Sequence, residues 1–332
     1  MDPTTPAPTP AQAPPRAVGL LVPVGAACLV TALASFAPLL SPLLLALLLG
    51  ALVANTRLSR ARVLRGQHVI TKLLLRLGVV LLGLRLPIAD VLAVGWKAVA
   101  VIIVTVLVTY SGTMLCGRRL GLDRELVVLI AAGFSICGAA AIAAFSDAVR
   151  AKQRDVALAV ALVTAFGTVM IGAIPGLTSL FGLSSTQGAI WAGASIHEVA
   201  QVVAAGSILG SGAVAVATTV KLGRVALLAP MYAVAARGAG HDHAGHVPLL
   251  PWFVLGFAAA VVVRSVGLLP AQALDAANQL TTLLLAAGMF GLGLGLRLAD
   301  LWPVPVRALG LAALSTLMAA GSSLLVILII GL

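Results

Sequence analysis

The sequence predicts an all-α, polytopic membrane protein with about 9–11 transmembrane segments, two of them discontinuous or re-entrant. Three observations carry this. Of 332 residues, 61% are hydrophobic and 9% charged, where soluble domains carry about 25% charged residues. Mean hydropathy is +1.14. The apolar runs are rich in Leu, Ala, Val and Gly and approach the about 20 residues of one helical crossing. A single soluble core is excluded. So is a membrane β-barrel, because the runs lack strand-length alternation and aromatic residues make up only 4%.

Residues 1–16 form a Pro-rich leader, whose first fifteen (MDPTTPAPTPAQAPP) lack apolar periodicity and are expected to be disordered. Residues 17–332 form a single integral membrane domain. Ala32, Leu33 and Ala34 spell a signal-cleavage pattern, but the leader holds Asp2 and no basic cluster, so the first span is expected to stay uncleaved. Eleven apolar stretches follow, at about 18–36, 38–54, 70–86, 91–115, 125–146, 156–174, 187–209, 213–236, 249–266, 277–296 and 306–331.

Arg57, Arg60, Arg62 and Arg65 place the second connection, and with it the amino terminus, in the cytoplasm. Arg118, Arg119 and Arg124 then fall inside as well. A full crossing by 125–146 puts Arg150, Lys152 and Arg154 outside, against the rule. Either that stretch re-enters, or it crosses as a broken helix; the sequence leaves both open.

AGFSICGAAAIAAF (132–145) and AGASIHEVAQVVAA (192–205) match in one register at an offset of sixty. GLRLPIAD (83–90) and GLRLAD (295–300) form a second pair. The motif order is not that of a tandem duplication, and Gly and Ala also recur for packing reasons alone. Inverted repeats of this kind typify secondary transporters.

Of the ten acidic residues only Glu198 sits mid-segment; beside it His197 is the one histidine at membrane depth, and Lys221 and Arg224 lie within VATTVKLGRVALL. Each buried charge costs at least about 2.5 kcal/mol and marks a functional pathway by default. The alternative is a Glu198 salt bridge to Lys221 or Arg224 that only fixes packing. Gly133 and Gly138 permit a helix break, and half-helix amino ends attract anions. The candidate substrate-binding set is therefore Ser135, Cys137, Gly138, Ser195, Gln201, Lys221 and Arg224, with His197 and Glu198 as the proton-coupling pair. Alternatively, the Ser and Cys side chains simply satisfy neighbouring carbonyls. Sodium coupling is disfavoured for want of a second midspan carboxylate.

The blocks LLLRLGVVLLGLRLP (73–87), AAGFSICGAAAIAA (131–144), GASIHEVAQVVAAG (193–206) and TVKLGRVALLAP (219–230) resemble the YeiH-type sulfate exporter family of bacterial inner-membrane proteins. The resemblance covers nearly everything after the leader. It implies a multi-span carrier that exports sulfate, sulfite or a sulfonate across the plasma membrane, with a fold similar to the bile-acid symporter and sodium/proton antiporter group. Ala139, Ala140 and Ala141 depart from the family spelling, which removes a hydroxyl near Ala140.

Rival chemistries are weaker. HEVAQ (197–201) is similar to the zinc motif HExxH, but Gln201 replaces the second imidazole, so no metal and no intramembrane protease is expected. HDHAGH (241–246) has metal-ligating residue types, but its spacing is slack and it is read as a short solvated connection. GLGLGL (291–296) has no preceding strand, so it reads as close helix packing, not a dinucleotide loop. Cys28, Cys116 and Cys137 are too scattered for a disulfide framework. The net charge of +11 suits loops on an anionic leaflet and requires no nucleic acid. Expected partners are a small inorganic or organic anion and the lipid bilayer, with a homodimer as the assembly considered. No cofactor and no enzymatic activity are expected; an anion channel is the alternative to a carrier.

Overall fold

The computed structural model describes residues 16–36, 42–60, 67–89, 95–210, 212–238, 252–295 and 305–332. The expected disordered leader, the HDHAGH run, Arg62, Arg65 and residues 296–300 of the second GLRL motif lie outside these residues.

Helices occur at all eleven apolar stretches, and no strand occurs among the described residues. They are α1 (Arg16–Phe36), α2 (Pro42–Ala54), α3 (Gln67–Leu82), α4 (Trp96–Arg119), α5 (Arg124–Ser135), α6 (Ala139–Ala148) and α7 (Gln153–Leu180). Then come α8 (Ser185–Ser195), α9 (Val199–Leu209), α10 (Ala213–Ala226), α11 (Leu228–Gly238), α12 (Trp252–Val266), α13 (Ala271–Gly293) and α14 (Val306–Ile330). The stretch 70–86 leaves the α-helix at Leu82 and ends in a 3-10 turn, Gly83–Arg85. Among the described residues four helices are long and apolar enough to cross a bilayer: Trp96–Arg119, Arg154–Leu180, Ala213–Val234 and Val306–Ile330. The stretches 125–146 and 187–209 are each two helices separated by three non-helical residues.

The helices pack as two groups. In one, α13 lies against α1, α2 and α3, with α12 beside α3. Small residues permit this closeness, because lipid supplies no hydrophobic drive between helices and packing must do so. A Cβ on Gly78 would sit 2.6 Å from Leu285 Cδ2, and one on Gly288 would press into Leu75. The GLGLGL run does bring backbones together: Gly291 faces Thr71, and Gly293 faces Leu47 O and Gly50.

The second group holds α4 to α10 and α14. Here buried hydroxyl and indole groups tie helices together. Thr113 and Ser315 meet at 2.7 Å between α4 and α14, and Trp191 Nε1 donates to Ala320 O at 2.9 Å between α8 and α14. Leu21, Leu107, Val169, Leu317 and Ile329 point outward, giving the apolar exterior that a bilayer requires.

Candidate functional site

The site begins with two helix breaks. After Ser135 the chain leaves the helix, with Ile136 at φ −109°, ψ −89°, and Gly138 turns at φ +74° before α6 starts. Only glycine takes that left-handed conformation without a Cβ penalty. After Ser195, residues 196–198 are extended through Ile196 and Glu198 before α9 starts. The breaks occupy equivalent registers, and they touch: a Cβ on Gly138 would lie 2.6 Å from Glu198 Cγ and 3.3 Å from His197 O.

Each break leaves orphan carbonyls at the carboxyl end of its first half-helix, where the helix dipole is negative. Helix α10 answers both ends with two fully buried cations. Lys221 Nζ donates to Ile136 O and to Ile196 O, each at 2.8 Å. Arg224 Nε and Nη2 donate to Ser135 O at 3.1 and 2.8 Å, and Nη2 also reaches Phe134 O at 2.9 Å. Its Nη1 donates to Ile196 O at 3.0 Å and Gly193 O at 3.4 Å. The guanidinium thus makes five contacts with backbone oxygens.

The small polar groups expected here are present, and several are internally satisfied. Ser135 Oγ donates to Ala131 O and Ser195 Oγ to Trp191 O, both at 2.6 Å. That is the back-bonding to position i−4 by which helical serines satisfy themselves. Gln201 accepts the Glu198 N–H at 3.2 Å, within a capping box, and donates to Thr164 O on α7 at 3.2 Å. His197 Nε2 meets Thr316 Oγ1 at 3.2 Å. Its ring packs on Phe134, centroids 4.5 Å apart. The structure therefore brings Ser135, Cys137, Gly138, Ser195, His197, Glu198, Gln201, Lys221 and Arg224 to one crossing.

On the other side of the crossing, the amino ends of α6 and α9 line a cavity of about 550 Å³ through Ala139, Ala140, Val199 and Ala200, with Cys137 and Glu198. Glu198 is 4% exposed; its carboxyl bonds the backbone of Ala139, and its Oε1 has no hydrogen-bond partner among the described residues. The facing wall comes from the other helix group: Pro42 and Leu43 of α2, Leu75 and Leu82 of α3, and Thr282, Leu285 and Met289 of α13. Arg85 completes it. The Lys221, Arg224, Ser135, Ser195, Gln201 and His197 side chains stand behind this lining.

Sequence reasoning missed Arg85 as a site residue. Its Nε donates to Asn278 Oδ1 at 3.0 Å, and its Nη2 to Asn278 O and Thr282 Oγ1 at 2.6 and 2.8 Å. Among the described residues those bonds leave Nη1 unused. The available signal is a charge inside the 70–86 stretch, within the GLRL repeat.

Fold and site define a multi-pass helical membrane protein whose two broken helices meet beside a cavity. The chain belongs to the family described as conserved hypothetical protein 698, whose model matches residues 18–312. It is similar to a UPF0324 membrane protein of Corynebacterium glutamicum, 44% identical over 281 residues, covering 83% of this chain and 81% of the relative. A UPF0324 membrane protein of Pseudomonas aeruginosa is 40% identical over 291 residues, covering 83% and 82%. One from Bordetella bronchiseptica is 38% identical over 268 residues, covering 77% and 83%. The protein is a multi-pass bacterial membrane protein. No solved structure matches the chain.

Proposed function

We propose that the protein is a secondary transporter that exports a small anion, a sulfur oxyanion or a sulfonate, across the plasma membrane with proton coupling. The observation that carries this reading is the cavity between the two helix groups, onto which two half-helix amino ends and Arg85 all open. Helix amino ends hold partial positive charge, and a guanidinium binds an oxyanion through paired donors. The sixty-residue correspondence of the breaks fits an inverted repeat, in which one bundle moves against the other around a midplane site.

In this reading Lys221 and Arg224 hold the crossing together and do not touch cargo, since their donors face backbone oxygens. Arg85 takes the charge contact. Glu198 couples the proton: an ionised carboxylate in the cavity repels an anion at low dielectric, so a proton on Glu198 accompanies the loaded state. Among the described residues, the charged and titratable groups around Glu198 are Cys137 and His197 from the two breaks, Lys221 from α10, and Arg85 across the cavity. A divalent oxyanion carried with one proton keeps one net negative charge, which an inside-negative potential pushes outward, whereas a monovalent sulfonate carried with one proton crosses as a neutral pair and leaves down its own concentration gradient.

Uptake of labelled sulfate, sulfite and methanesulfonate into proteoliposomes tests the proposal. Saturable uptake of at least one is expected. A cation flux with no movement of any of the three would contradict it.

A further inference from the structure

We propose that the cavity is built for an amphipathic organic anion, a sulfonate with an apolar tail of several carbons, in preference to a bare inorganic oxyanion. This rests on the transport reading above and specifies its cargo. Two features of the cavity carry it.

The first is size. The cavity holds about 550 Å³, within the range of pockets that take drug-sized ligands. A five-heavy-atom oxyanion, counted generously at the volume of one water (about 30 Å³) per heavy atom, fills about 150 Å³. The remaining space then needs an occupant. Water is a poor one, because Leu43, Leu75, Leu82, Val203, Leu285 and Met289 line it without hydrogen-bonding groups.

The second is grading along the wall. Helices α3 and α13 run antiparallel, as Arg85 bonds to Thr282 while Leu75 packs on Gly288. The lining therefore passes from Arg85 and Thr282 at one end, through Leu82 and Leu285, to Leu75 and Met289 at the other. At 1.5 Å per residue, Thr282 to Met289 spans about 10 Å. The acid head rests on Arg85 Nη1, which Thr282 and Asn278 hold in place through the other guanidinium nitrogens, and the tail lies toward Met289. The amino ends of α6 and α9 supply positive potential from the opposite wall. The Glu198 carboxyl opens on the same cavity and bonds the backbone of these ends, with Oε1 left without a hydrogen-bond partner among the described residues.

The test uses the full-length protein in proteoliposomes, with straight-chain 1-alkanesulfonates from methane- to hexanesulfonate competing against uptake of labelled methanesulfonate. Thermal stabilisation of the purified protein by the same compounds gives a second readout. Each added methylene is expected to lower the half-inhibitory concentration about fourfold. Sulfate is expected to compete no better than methanesulfonate, and 1-hexanol not at all. Val203→Gln, on a side chain 38% exposed that lines the apolar part of the cavity, is expected to flatten the series. Transport with a flat series, or with sulfate as strong as hexanesulfonate, overturns this proposal and leaves the transport reading standing. Equal competition by 1-hexanol also overturns it, because the cavity then takes any apolar chain. Failure of every anion to be transported or to stabilise the protein brings down both.

Discussion

Arg224 grips the carbonyl of Ser135 with two nitrogens, Nε at 3.1 Å and Nη2 at 2.8 Å, while its Nη1 holds Ile196 O on the other broken helix. One side chain thus joins two interrupted helices through atoms that the interruptions themselves create. A helix that continued through residues 136–138 would present no free carbonyl there. The cation and the break therefore stabilise each other: the break supplies acceptors and negative dipole ends, and the cation avoids an uncompensated burial.

From this follows the first prediction. Arg224→Met removes all these donors and strands buried carbonyls, with each hydrogen bond to a charged group contributing about 1.5–3 kcal/mol. The purified variant should melt well below the wild type, a loss of about 3 kcal/mol or more, and should not transport. Lys221→Met, which loses two bonds, should be milder. Melting curves followed by intrinsic fluorescence check this, and equal stability of wild type and Arg224→Met would refute it.

Arg85 should behave in the opposite manner. It is partly exposed on the cavity wall, and its bonds are to Asn278 and Thr282. Arg85→Gln should lower transport at least about tenfold, the loss of one charged contact, while the melting temperature stays within a few degrees. Uptake and melting measured on the same preparation separate the two roles.

How far the site was legible in the sequence differs from residue to residue. The shared register of SICG and SIHE located both breaks, because glycine and clustered small polar groups mark where a membrane helix stops. Lys221 and Arg224 announced themselves as charges at depth, but their partners were hidden. Backbone carbonyls become acceptors only after the fold ends a helix, and no side-chain pattern encodes that. Ser135 and Ser195 looked like ligands, yet the helix gives each an acceptor four residues earlier. Arg85 was overlooked because it lies near a segment end. What makes it a site residue is the antiparallel neighbour α13, about 193 residues away in sequence and thus beyond any local pattern.

Gly138 should be intolerant of substitution. Its φ is +74°, and a Cβ there would press on Glu198 Cγ at 2.6 Å. Gly138→Ala should destabilise the protein by about 1–2 kcal/mol from the left-handed conformation alone, and the contact adds to that. Gly172→Ala, where a Cβ meets nothing within 4 Å, is the control and should leave the melting temperature unchanged. Loss of stability in the control alone would refute the account of this turn.

The arginine-rich connection after α2 should face the cytoplasm. With Cys28, Cys116 and Cys137 replaced by Ala, a thiol introduced as Arg57→Cys should resist a membrane-impermeant maleimide in intact cells and react once the membrane is opened. Labelling in intact cells would reverse the orientation.

Proton coupling through Glu198 predicts a sign. If a proton must neutralise this carboxyl before the anion enters, acid on the anion's side of the membrane accelerates its entry, and an opposing pH gradient slows it. Glu198→Gln, permanently neutral, should retain anion exchange between equal concentrations and lose accumulation driven by an imposed pH gradient. Normal accumulation by this variant would remove Glu198 from the coupling.

The central claim, an alternating-access anion carrier built on the crossing of α5–α6 and α8–α9, is tested most directly by counterflow. Proteoliposomes preloaded with unlabelled sulfite or methanesulfonate should take up the labelled anion faster than empty vesicles and transiently above its outside concentration, because a carrier returns loaded more readily than empty. Uptake that preloading leaves unchanged and that rises without saturation would show an open anion pathway, and would contradict the account.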